Sequence, residues 1–84
     1  MVNIYLFIEL TRAASAPEVA EHIKGLSLAN CKFANVVVLS DEKLVAQLDC
    51  SSPADGTKMV IEELPKVDGV VQTNIIAVVK PMKH

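Results

Sequence analysis

Aromatic residues are nearly missing from this chain: no Trp, one Tyr and two Phe among 84 residues. Basic charge is not in excess either. Eight Lys and Arg face ten Asp and Glu, a net charge of −2. A protein that holds nucleic acid by neutralising phosphates needs a basic patch, and the ending Lys80, Lys83, His84 is too short to supply one and reads as a solvated end. No apolar run approaches the roughly 18 residues of a membrane-spanning helix. There is no C-x-x-C, and Cys31, Cys50, His22 and His84 are the only Cys and His residues, so no zinc set and no metal site is expected. The start Met1-Val2-Asn3-Ile4 has no basic n-region and runs straight into patterned sequence, so no signal peptide is expected and a cytoplasmic, reduced protein is. What remains is aliphatic: 51% of residues are hydrophobic and the mean hydropathy is +0.37. With 21% charged residues this is no disordered tail. A chain this short holds a single core, so residues 1–84 are one domain. So apolar a small domain either fills a large core or buries surface against another chain.

The pattern along the chain has six elements. Val2, Ile4, Leu6, Ile8 and Leu10 alternate with Asn3, Tyr5, Phe7 and Glu9, the period of a strand with its first set on the core. Ser15-Ala16-Pro17-Glu18 has the capping-box spacing, and Ala16, Val19, Ala20, Ile23 and Leu26 recur at helical intervals before Gly25 closes a helix over 16–25. Phe33 to Leu39, with its Val36-Val37-Val38 run, and Leu44 to Cys50 form two strands around the polar Ser40-Asp41-Glu42, a hairpin. Ser51-Ser52-Pro53 opens a second helix with Val60, Ile61 and Leu64 as its apolar stripe and Pro65 as its stop. Asp68-Gly69 is a turn into a last strand over Val70 to Val79.

Strand, helix, strand, strand, helix, strand is the ferredoxin-like βαββαβ order: an α+β sandwich with both helices on one face of a four-stranded antiparallel sheet. The other face of a lone domain should be polar. Here it carries Tyr5, Phe7, Val45 and one parity each of the Val36–Val38 run and the last strand. A homodimer packed sheet to sheet is expected, through Tyr5, Phe7, Val36, Val38, Val45, Gln47, Ile76 and Val78. The dimer is expected as the unit of a higher oligomer.

Residues Ile61-Glu62-Glu63-Leu64-Pro65-Lys66-Val67-Asp68-Gly69-Val70, followed by Val71 to Val79, carry a further signal. This stretch resembles the C-terminal module of the Lrp/AsnC regulators, which typically closes on an "I..lp.V.GV..T.T..V" pattern. Glu18-Val19-Ala20-Glu21 and the element order also suit it. The resemblance implies an effector-binding and oligomerisation (RAM) domain whose dimers form through the sheets and whose small effectors, commonly amino acids, bind between subunits. It implies a non-enzymatic part in transcription regulation through DNA-binding relatives, without cofactor, direct nucleic-acid contact or membrane. The helix-turn-helix of full-length members is missing here, so a stand-alone module is expected. The matching effector positions are Ser40, Asp41, Glu42 and Lys43 in the hairpin, with Ser40 and Lys43 where the family has Gly and Asp, together with Thr73.

No catalytic residue is expected. His22 falls beside Glu18 on the outer flank of the first helix, and no Ser or Cys is placed for it to activate. Glu62-Glu63 reads as a solvated face, and Thr11-Arg12 after the first strand lacks the glycines of a phosphate loop. Tyr5 and Phe7 resemble the stacking aromatics of an RNA-binding sheet, but the third strand has none. The competing function is a small dimeric α/β-barrel enzyme, monooxygenase- or isomerase-like, which needs a polar cavity between helices and sheet. Cys31 and Cys50 begin the second strand and end the third, near one another. They read as reduced core thiols, with a disulfide or redox pair as the open alternative.

Overall fold

The computed structural model of the chain describes residues 1–28 and 30–80, the side chains of residues 27 and 28 excepted, so Lys83 and His84 of the basic ending lie outside the described residues. In chain order the elements are β1 (Val2–Leu10), α1 (Ala16–Lys24), β2 (Ser27–Leu28), β3 (Cys31–Ser40), β4 (Lys43–Cys50), α2 (Pro53–Lys58) and β5 (Val70–Val79). A π turn (Met59–Glu63) and a 3-10 turn (Leu64–Lys66) prolong α2. The sheet order is β2-β3-β4-β1-β5 with every pairing antiparallel. Four long strands and two helices therefore make an α+β fold compatible with the ferredoxin-like arrangement. The two-residue β2, folded back on Cys31 and Lys32, is an addition that the sequence pattern did not announce.

The core follows from the alternation in the two central strands. Ile4, Leu6 and Ile8 of β1 pair with Leu48, Ala46 and Leu44 of β4, and all six are buried on the helix-covered side. Onto them pack Val19, Ala20 and Ile23 of α1, with Met59 and Leu64 from the second helical segment. Ile61, expected in that stripe, is exposed, and the fully buried Met59 takes its place. The π turn, in which the Leu64 N–H donates to the Met59 carbonyl, brings Met59 and Leu64 to the same side and leaves Ile61, two residues after Met59, on the outer one.

Local chemistry explains the boundaries. Ser52 caps α2, its Oγ accepting from the Asp55 N–H at 3.3 Å and donating to the Asp55 carboxylate at 3.0 Å. Ser15 stands at the N-cap of α1 but makes no side-chain cap bond, so the expected capping box is not formed. Pro17, at the second helical position, removes one of the N–H groups that an N-cap oxygen accepts. Pro65 does not stop the second helical segment; it sits inside the 3-10 turn. Gly56 looks costly inside α2 until its surroundings are seen: a Cβ there would collide with Ile4 Cδ1, so the glycine lets α2 lie directly on β1. Gly69 turns the chain into β5 at φ +94°, and a Cβ would come within 2.7 Å of Ala14 Cβ.

Cys31 and Cys50 are directly opposed on the last rung between β3 and β4, their Cα atoms 4.1 Å apart, and are joined by a disulfide. Of the two readings left open by the sequence, the bonded pair is the one found, in place of reduced core thiols.

Candidate functional site

The face of the sheet away from the helices is built rung by rung from the strand register. The rung nearest the hairpin turn holds Ser40, Lys43, Glu9 and Gln72 across β3, β4, β1 and β5. The next holds Val37, Val45, Phe7 and Asn74, then Asn35, Gln47, Tyr5 and Ala77, and at the far end Lys32, Asp49, Asn3 and Val79. The middle of the face is thus apolar with amide side chains among it. Each end rung carries one Lys and one carboxylate, so each is neutral.

Of the residues expected on this face, Tyr5, Phe7, Val45 and Gln47 are there. Val36, Val38 and Val78 are not. Val36 is buried on the helix-covered side opposite Ala46, Val38 pairs with Leu44 and Val78 with Ile4 on that same side, and Ile76 lies in a bulge. One cause accounts for all four. The register slips by one residue at Ala34 and again at Leu39 in β3, and at Val71 and Ile76 in β5, and each extra residue reverses which side the residues after it face until the next slip. Val37, Ala77 and Val79 occupy the open face in their stead. The bulged strands are the long edge strands, where bulges concentrate, while the two central strands pair without a slip.

The expected effector residues divide. Ser40, Asp41, Glu42 and Lys43 are exposed around the hairpin turn, at the rim of the open face. The Glu42 carbonyl accepts from the Leu10 N–H at 2.7 Å, its carboxylate meets Arg12 at 3.4 Å, and Lys43 Nζ stands 5.9 Å from the centre of the Phe7 ring. Thr73 shares a rung with Ile8 and Leu44, on the other side of the sheet, with its hydroxyl buried and unpartnered. Within one copy, Thr73 and the turn do not line a common site.

An open cleft of about 370 Å³ lies elsewhere, between the β1–α1 loop, α1 and the turn into β5; Thr11, Ser15, Glu18, His22, Asp68 and Gly69 line it. The Thr11 N–H donates to the Gly69 carbonyl at 2.9 Å and ties the two loops together. His22 and Glu18 are exposed, as expected, but they face a concavity that spacing on one helix does not reveal. The signal was indirect: β5 runs antiparallel to β1, so its first residues return to the end where β1 leaves the sheet.

Among the described residues no polar or charged residue is buried as a whole, the Thr73 hydroxyl on a half-buried residue being the one such atom out of solvent without a partner, and no group of three His, Cys, Asp or Glu is placed to hold a metal ion. No helix is long and apolar enough to cross a membrane. Comparison of the chain with protein-family models, with curated proteins and with solved structures returns no match.

Proposed function

We propose that this chain is a non-enzymatic, self-associating regulatory module of the Lrp/AsnC effector-binding type, whose unit is a homodimer packed through the open face of the sheet. One observation carries the reading: the middle of that face is Tyr5, Phe7, Val37, Val45 and Ala77, while its charge is confined to two neutral end rungs. Side chains of this size gain roughly 1.5–3 kcal/mol each on full burial, which water on that face withholds. Four strands about 4.8 Å apart, each contributing about 27 Å of length, give a patch of roughly 500 Å² per copy. Two copies then cover about 1,000 Å², the lower bound of a specific interface.

The occupant is a second copy because the charge pattern complements itself. A two-fold axis running along the strands brings Lys43 over the partner's Glu9. An axis running across them brings Lys43 over the partner's Asp49. The first arrangement sets Lys43 and Glu9 face to face twice at the hairpin rung, the second sets Lys43 against Asp49 at both ends, and in each the apolar middles meet. The amides of Asn35, Gln47 and Asn74 hold the register, in the way that isolated polar groups do in apolar seams. The exposed turn Ser40–Lys43 then lies at the rim of the assembly, the position suited to a small, amino-acid-like effector shared between subunits and to contact with DNA-binding relatives.

Light scattering tests the assembly: a dimer or larger species is expected at micromolar concentration, and a monomer there overturns it. A thermal-shift screen against the amino acids tests the effector. A rise in Tm with one or a few is expected, and a flat response to all removes that part of the function. The enzyme reading draws little support from the interior, where the described buried residues are apolar and the single Thr73 hydroxyl is the one unpartnered polar atom.

A further inference from the structure

We infer that the Cys31–Cys50 bond is a buried structural staple, shielded from small thiols by the fold. The placement carries the inference. The bond joins directly opposed residues on the helix-covered side, with Cys31 5% and Cys50 0% exposed. It closes the one corner of the sheet where several chain reversals meet. Asn30 lies just before β3, and the Ser51 N–H, just beyond Cys50, donates to the Asn30 carbonyl at 2.8 Å. Ser52 follows as the cap of α2, and Gly56 of α2 faces Cys50 Sγ and Ile4. Beside the bond on the open face, Lys32 and Asp49 form part of the end rung.

Exchange with a thiol requires a thiolate to reach one of the two sulfurs. Here the two cysteines are 5% and 0% exposed, so reduction waits on local opening of this corner. In formation, the Cys31 and Cys50 thiols give up two electrons and two protons to a low-molecular-weight disulfide such as oxidised glutathione, which leaves as two thiols. Reduction is the reverse: a small thiolate forms a mixed disulfide with one cysteine, and a second thiol releases it. Disulfides persist mainly in oxidising compartments. Burial gives this one a persistence that comes from the fold itself, and it stands against the expectation of a reduced chain.

The test uses the full chain purified without reductant and then equilibrated with oxidised glutathione. Its mass should lie two hydrogens below the reduced chain, with no alkylation after unfolding in urea; two alkylated cysteines overturn the inference. Dithiothreitol should then reduce the native chain at least about a hundredfold more slowly than the urea-unfolded chain, whereas equal rates overturn the shielding. The double variant Cys31→Ala/Cys50→Ala removes the bond without leaving a thiol. Closure of a loop spanning 19 residues predicts a fall in Tm of roughly 10–20 °C, or failure to fold. A variant as stable as the oxidised chain overturns the staple. The two rate measurements need no variant, the mass and alkylation readouts do not depend on the oligomeric state, and the Tm values are compared at one protein concentration.

Discussion

The two faces of this sheet are made by the same strands and reach opposite ends. On the helix-covered side, Ile4, Leu6, Ile8, Leu44 and Leu48 are sealed by α1 and the second helical segment. On the open side, Tyr5, Phe7 and Val45 alternate with them along the same backbones and are only half-buried, by one another. The difference lies in what covers each face. One copy of the chain carries enough helix for one side only. Stability therefore belongs mainly to the covered side and association to the open side, and substitutions on adjacent residues of one strand should separate the two properties.

The largest expected effect breaks the covered side. Leu48→Ala empties a fully buried position packed between β1 and β3, and such truncations cost about 2–5 kcal/mol. Urea unfolding should show a midpoint lowered to match. Next comes a break in the open side. Phe7→Asp sets a carboxylate in the middle of the apolar patch, between Val45 and Asn74. In the free chain that position is half-exposed, so the monomer's stability changes by less than about 1 kcal/mol. In a dimer the charge is buried without a partner, and the dissociation constant should rise at least a hundredfold, about 2.7 kcal/mol. Sedimentation velocity on folded protein reads the difference. A Phe7→Asp chain that still associates like the parent breaks the division of labour between the faces.

This contrast also marks how far the sequence could be read. In β1 and β4 strict alternation names both faces correctly, because the two central strands pair without a slip. In β3 and β5 it does not. Ala34 and Ile76 look like ordinary strand residues, yet each is the extra residue of a bulge and turns the side chains after it over, in β3 as far as Leu39, where a second slip returns Ser40 to the open face. Nothing in a Phe-Ala-Asn or Ile-Ile-Ala triplet announces a bulge, since it is the twist of the edge strand against its neighbour that places it. Val36 and Val38 thereby moved to the covered side and Val37 to the open one. The hairpin turn was legible from its polar residues. The cleft beside His22 was not, because it joins loops more than forty positions apart in the chain.

A smaller effect comes from the hinge between the covered side and that cleft. Gly69 holds a positive φ with Ala14 close against it, so Gly69→Ala is strained in backbone and contact alike. A loss of roughly 1–3 kcal/mol is expected, with oligomeric state unchanged at temperatures where the chain stays folded. A stability equal to the parent's would mean that the turn into β5 accommodates a side chain by moving away from α1.

The smallest effect is the most informative about the open side. In the single chain Lys43 is exposed at the rim with its ammonium near the Phe7 ring, a contact of about 0.5–1 kcal/mol at an exposed site. Lys43→Glu loses that contact and sets a carboxylate opposite Glu9 in the same chain, so a stability loss of about 1 kcal/mol is expected, small enough to leave the chain folded. Across the proposed two-fold the same substitution sets like charges face to face, and association should weaken about tenfold, close to 1.4 kcal/mol. The loss should shrink as salt is raised, because rim charges are screened within about 8–10 Å. A second reversal identifies the axis. Recovery in Lys43→Glu/Asp49→Lys requires an axis across the strands, and recovery in Lys43→Glu/Glu9→Lys one along them. Because Glu9 also faces Lys43 within one chain, the Glu9 result counts only where it restores association without changing the unfolding midpoint. If neither double variant recovers, the end rungs do not meet, and the self-complementary pattern that singles out a second copy as the occupant of this face loses its meaning.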